Sequence, residues 1–142
     1  MAKVIIGNHS AIRASKQDRE RIRRFDCDVL GGKILRELED KDDLQLGDDL
    51  HIAFLYSAGG REVDKGVRYA AESPLSEKDF LKAIYLELKS DDVEEMRQKI
   101  TSFGVNVLPV PDPHLYFQAP GGQVFRLVGI NEDLSRYERN QD

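Results

Sequence analysis

Two residue types in this chain invite chemistry. His9 and His51 are two of its three histidines. An imidazole nitrogen ligates Zn, Ni, Fe or Mn, and two imidazoles with one carboxylate make the facial arrangement of a mononuclear site. Arg126 lies in the run Val124-Phe125-Arg126-Leu127-Val128. A guanidinium with apolar neighbours binds a carboxylate or a phosphate bidentately. Other chemistries find no support: there is no phosphate-binding loop, no GxGxxG, no paired CxxC and no Ser-centred nucleophile elbow. Cys27 stands between Asp26 and Asp28, whose charges raise a thiol pKa, so a catalytic thiolate is not expected. The basic run Arg19, Arg21, Arg23, Arg24 is interleaved with Asp18, Glu20, Asp26 and Asp28 and reads as a solvated helix face.

The elements that must position these groups follow from periodicity. Residues 7–14 read as a strand and 15–30 as a helix with Ile22, Phe25, Val29 and Leu30 on one face. Ser15 and Asp18 resemble a capping box, and Gly31-Gly32 supplies the stop. Residues 33–38, 44–46 and 50–56 read as strands, separated by the acidic stretch 39–43 and the turn Gly47-Asp48-Asp49. The second half repeats the order. Residues 81–88 are extended and 92–103 helical, with Val93, Met96, Ile100 and Phe103 on one face and Gly104 as its cap. Strands follow over 105–110, 115–118 and 123–128, punctuated by Pro109, Pro111, Pro113 and the turn Pro120-Gly121-Gly122.

A duplicated module should show a near-constant offset between matching landmarks. His9 to Ala83 is 74 residues, Gly31 to Gly104 is 73, Gly47 to Gly122 is 75, and His51 to Arg126 is again 75. The chain therefore divides into a first βαβββ module over 4–56, a connecting segment over 57–78, a second βαβββ module over 79–130 and a polar tail over 131–142. The connection holds Gly59-Gly60-Arg61-Glu62 and Ser73-Pro74-Leu75-Ser76, with a further edge strand expected near 67–71.

With 142 residues, 40% of them hydrophobic and 33% charged, the chain is globular, and neither disordered nor collagen-like. The net charge of -5 disfavours nucleic acid and anionic membrane surfaces and favours a small-molecule partner. The apolar run 4–6 is too short for a signal-peptide core, no stretch approaches the ~20 apolar residues of a membrane span, and the lone Cys27 forms no internal disulfide; the expected location is cytoplasmic.

The stretch Asn8-His9-Ser10-Ala11-Ile12-Arg13-Ala14-Ser15, followed by residues 24–32, resembles the opening module of the vicinal oxygen chelate superfamily, which includes glyoxalase I, bleomycin-resistance proteins and extradiol dioxygenases. The run 115–127 is similar to that family's closing strand pair. The resemblance spans about residues 4–130. It implies an α+β fold in which two βαβββ modules form a curled mixed-sheet cup, helices outside and ligand inside.

Alternation would then turn His9, Ala11, Arg13, His51, Ala53, Ala83, Tyr85, Glu87, Val124, Arg126 and Val128 toward the cup. It would back Ile12, Ile84, Leu86, Phe125 and Leu127 onto the helices. The family's metal positions would fall on His9, His51, Ala83 and Arg126. Ala83 has no donor and Arg126 is cationic, so the complete metal site is not expected. Glu87 either joins His9 and His51 as a third ligand or pairs with Arg126. The resemblance thus implies a cup protein binding a small organic molecule, anions included, through Arg126, Tyr85, Glu87 and Arg13. The alternative is a metal-dependent lyase, isomerase or dioxygenase using His9 and His51 with a divalent metal. The family's habit of completing cups by pairing chains implies a homodimer.

Overall fold

The computed structural model describes residues 2–57 and 83–135. Strand β1 (His9–Ser15) ends at Ser15, whose hydroxyl accepts from Gln17 N at 3.3 Å and turns the chain into a helical run. The run opens as a 3-10 turn (Lys16–Asp18), continues as helix α1 (Arg19–Arg23) and closes as a π-helix (Arg24–Val29), where Leu30 N donates to Phe25 O at 3.1 Å. The single helix expected over 15–30 is therefore one helical run with three hydrogen-bonding patterns. Strands β2 (Lys33–Leu38), β3 (Lys41–Leu46) and β4 (Leu50–Ser57) follow. β4 lies parallel to β1, and the sheet order is β1-β4-β3-β2.

The second half repeats this plan. β5 (Tyr85–Ser90) leads to helix α2 (Val93–Phe103), capped by the Asp92 carboxylate accepting from Glu95 N at 3.0 Å. β6 (Asn106–Leu108), β7 (Leu115–Gln118) and β8 (Val124–Gly129) complete a sheet of order β5-β8-β7-β6, with β5 parallel to β8. The architecture is thus α+β, two curled four-stranded mixed sheets each carrying a helix, as the sequence led us to expect.

Three local expectations are corrected. The acidic stretch 39–43 is not a separator: β3 begins at Lys41, because Asp42 turns inward onto Arg19 and Arg23 and only Glu39-Asp40 makes the turn. Ile84 does not back onto a helix but is 84% exposed, since the ladder starts one residue later at Tyr85. Arg19 and Arg23 are not a solvated face, whereas Arg21 and Arg24 are exposed and lie over the Phe103 ring. The expected edge strand near 67–71, nearly all of the connecting segment, residues 81–82 and the end of the tail fall outside the described residues.

One core joins the halves, and a smaller cluster of Leu108, Tyr116 and Val124 lies apart from it. Ala14, Leu44, Leu46, Ile52, Phe54 and Tyr56 of the first sheet cluster with Ile22 and Phe25 of its helical run and with Ile100, Leu115, Phe117, Phe125 and Leu127 of the second half. Phe25 sits at the junction, edge-on to Phe103 of α2 at 5.2 Å and to Phe117 of β7 at 5.8 Å. Each sheet thus spends its helix-bearing face on the shared core and turns the other face away from it.

Candidate functional site: the two faces turned from the core

Strand alternation decides what those faces carry. On the first sheet the parallel register sets His9 beside His51 and Ala11 beside Ala53. The two imidazoles stack at 4.8 Å between centroids. They border an open cavity of about 650 Å³, whose wall includes Ala11, Ala53, Leu35, Arg36, Lys41 and Asp43. Arg13 follows on the same strand, exposed and outside that cavity wall. No residue of the second sheet lines this cavity.

On the second sheet the register sets Glu87 beside Arg126 and Tyr116 opposite Arg126. Arg126 Nη2 donates to Glu87 Oε2 at 2.5 Å, and Nη1 donates to the Tyr116 hydroxyl at 3.4 Å. The guanidinium carbon lies 5.0 Å from the Tyr85 ring centre and 6.0 Å from that of Tyr116, within cation–π range of both. Its Nε is buried without a hydrogen-bond partner among the described residues. Burial alone would lower the Arg126 pKa, but the bonds to Glu87 and Tyr116 outweigh it and raise it, so the cation is permanent. Val124 and Val128 are buried beside it on β8, and Ala83 packs with Val124, Tyr116 and Leu108.

Of the residues expected in the site, the structure brings together Tyr85, Glu87 and Arg126 on one sheet and His9 and His51 on the other. It does not bring the two groups together within one chain. The ladders also revise the duplication: if His51 matches Arg126, then Glu87, not Ala83, takes the seat of His9.

Sequence reading missed Tyr116, Asp112 and His114. The Tyr116 hydroxyl donates to Asp112 Oδ2 at 3.0 Å. Asp112 receives His114 N at 2.9 Å and also pairs with His114 Nδ1. Burial would raise the Asp112 pKa, but the bonds from His114 and Tyr116 hold it below the usual carboxylate range. Tyr116 was within reach of the sequence, because pairing symmetric about Gly121 sets residue 116 against residue 126. Asp112 between two prolines reads only as a turn.

No known protein family and no curated protein sequence matches the chain. Solved structures do. A mutant of the fosfomycin resistance protein FosX from Listeria monocytogenes, complexed with Mn(II) and 1S,2S-dihydroxypropylphosphonic acid, superposes with a TM-score of 0.64 at 16% identity, covering 95% of this chain and 99% of that one. The fold is that of the vicinal oxygen chelate proteins. A possible glyoxalase from Bacillus cereus is similar over 88% of this chain and 99% of its own, at 15% identity and a TM-score of 0.60. An integron cassette protein from Vibrio cholerae is similar over 92% and 99%, at 17% identity and a TM-score of 0.60.

A divalent metal is present in one of these vicinal oxygen chelate structures, so the donor set here must be tested against it. His9 and His51 offer nitrogen, but Glu87 is engaged by Arg126, and the guanidinium itself repels a divalent cation. Among the described residues no group of three or more His, Cys, Asp or Glu side chains is arranged to hold a metal ion. The described residues of one chain do not by themselves fit one. Cys27 is no substitute centre: burial, then Asp26 and Asp28, push its thiol pKa up. No helix among the described residues is long and apolar enough to cross a membrane.

Proposed function

We propose that the protein binds a small anionic organic molecule, a carboxylate or phosphonate, on the face that carries Arg126, without the metal centre used by some proteins of this fold. The observation that carries this reading is the Arg126 guanidinium, lying against both the Tyr85 and Tyr116 rings, which themselves meet edge-to-face, with a fixed charge. A guanidinium packed against aromatic rings offers a planar, bidentate donor fork to an oxyanion, and the surrounding apolar surface strengthens such a bond. Glu87 is the ligand's competitor. It lies on edge strand β5 with its side chain 28% exposed, so it has room to release the guanidinium to an incoming anion. The phosphonic acid in the FosX complex supports an anion as the ligand class.

His9, His51 and Arg13 belong to the same reading if the open face of the first sheet closes over Arg126 of a second copy. A homodimer would then complete the cup. The lone Cys27 suits the reducing cytoplasm, where this reading places the protein.

The test is a thermal-shift screen of carboxylates and phosphonates, followed by calorimetry of the best hit. Arg126→Ala should weaken binding by about 1.5 to 3 kcal/mol, the worth of a charge-assisted bond. Glu87→Gln should strengthen it, because the competing carboxylate is gone. If both variants bind as the parent does, Arg126 serves only the scaffold. Stoichiometric metal in chelator-free protein, lost on replacing His9 and His51, would instead favour a metal-dependent lyase, isomerase or dioxygenase.

A further inference from the structure

Arg126 is held from more than one side. Besides Glu87, its Nη1 lies 3.8 Å from Asp112 Oδ2, the oxygen that also accepts from the Tyr116 hydroxyl. The other Asp112 oxygen is taken by the backbone N–H and ring Nδ1 of His114. His114 Nε2 in turn meets Glu132 Oε1 at 2.6 Å, and Glu132 Oε2 accepts from Gly129 N at 3.1 Å at the end of β8. Only 8% of the His114 side chain is exposed. Two segments, one before β7 and one after β8, are therefore stapled to each other beside the strands that carry Tyr116 and Arg126.

The geometry points to Asp112, seated by His114, as the residue that positions the Tyr116 hydroxyl and the Arg126 guanidinium, with Glu132 extending that hold to the segment after β8. This rests on Arg126 being the anion anchor, and deepens it. Glu87 alone cannot fix a guanidinium that must leave it when an anion arrives. The orientation that survives the exchange has to come from the other side, and there the contacts are Tyr116 and Asp112. An aspartate with one oxygen facing the hydroxyl and the guanidinium, and the other held by the backbone N–H of His114 and in contact with its ring Nδ1, cannot rotate without losing contacts on both sides. His114 spans Asp112 and Glu132 with its two ring nitrogens, so displacing the segment after β8 loosens Asp112 through a single side chain. Asp112 and His114 are positioning residues; they touch the ligand's anchor and not the ligand.

The experiment uses the full chain and two readouts. The first is the Arg126 Nε–Hε signal in ¹H–¹⁵N spectra, assigned by its loss in Arg126→Lys, which reports the guanidinium's surroundings without any ligand. The second is titration with methylphosphonate. In Asp112→Asn and His114→Gln the signal is expected to shift and broaden, and the methylphosphonate Kd to rise about tenfold as the anchor loses its orientation. Glu132→Gln, in a segment at the sheet's end, serves as the variant least at risk of misfolding and is expected to move the signal in the same direction by less. An Arg126 signal unmoved in Asp112→Asn and His114→Gln overturns the proposal, whatever the anion does. An unmoved signal in Glu132→Gln alone removes the last link of the chain. A signal that moves as expected while methylphosphonate fails to bind even the parent refutes the anchor reading and supports the positioning chain.

Discussion

Two buried aspartates of the first half show how differently one residue type behaves in two settings. Asp42 is fully buried, yet Arg19 and Arg23 each grip it with two nitrogens and Tyr56 donates to it at 2.9 Å. Burial pushes its carboxyl pKa up, but those bonds outweigh it and hold the group at about 2. Its contribution to stability is therefore complete above the ordinary carboxylate pKa of ~3.9 and is lost as pH falls through about 2. Asp42→Asn is expected to cost about 3 kcal/mol at pH 7, read by urea denaturation, because two partly buried arginines lose their counter-charge. The deficit should shrink as the parent is acidified from pH 4 toward 2. Asp26 is the opposite case: 2% exposed, with Oδ2 lacking a partner among the described residues, its carboxyl is pushed up to about 7 by burial. Here the folded state keeps a proton that the unfolded chain has released, so stability is greatest below pH ~3.9 and falls as pH rises through about 7, by up to about 4 kcal/mol. Asp26→Asn should flatten that fall, and its stability relative to the parent should rise between pH 5 and 8; a parallel pair of pH curves would show that Asp26 is solvated after all. None of this was legible in the sequence. An alternating run of arginines and aspartates looks the same whether it faces water or a buried acid, and only the fold brings residues 19 and 23 against residue 42.

At the scale of elements the sequence spoke more clearly, because local periodicity and turn chemistry act over a few residues. Strand β2, strand β7 and helix α2 with its Gly104 cap lie where apolar spacing and the capping glycine set them, although Asp92, read as the first helical residue, is the N-cap. The π-helical close of the first helical run was hidden, since wider hydrogen bonding leaves no mark in composition. So was the seam between the halves, where the β7–β8 turn packs on the first sheet. A Cβ at Gly121 would sit 2.9 Å from Phe54 Cε1 and 3.1 Å from Ile22 Cδ1, and Gly121 has φ of +91°. Gly31, with φ of +77°, has nothing within 4 Å of the same position. Gly31→Ala should therefore cost only the left-handed backbone conformation, about 1 kcal/mol. Gly121→Ala should cost that plus overpacking, about 2 to 4 kcal/mol together. Chemical denaturation of the two variants measures the difference. Equal losses would mean that the turn yields freely and the two halves are not locked at this point.

The whole molecule presents two half-built surfaces, and their separation decides how a cup is to be completed. His9 and His51 face away from the core on one sheet, Glu87 and Arg126 on the other, and the cavity beside the histidines draws nothing from the second sheet. β1 and β5 both stand at the end of their sheets, each hydrogen-bonded to one neighbour only among the described residues. Open strand edges invite pairing, and exposed apolar residues adjoin them: Ile6 before β1 is 93% exposed and Ile84 before β5 is 84% exposed. A two-fold pair of chains would satisfy both edges and lay the histidine face of one copy against the arginine face of the other, giving two equivalent composite sites. Sedimentation equilibrium should then find a species of about twice the 16.2 kDa chain mass, and Ile84→Lys should shift it toward monomer. Complementation gives the sharper outcome. If each site takes His51 from one copy and Arg126 from the other, His51→Ala and Arg126→Ala proteins each lose anion binding. Mixed and allowed to exchange, half the dimers become heterodimers, and each heterodimer regains one intact site of its two. Binding capacity should return to about a quarter of the parent's. A site built within one chain regains nothing on mixing. A site that needs Arg126 alone leaves the His51→Ala protein fully competent before any mixing, which would end the composite-cup account.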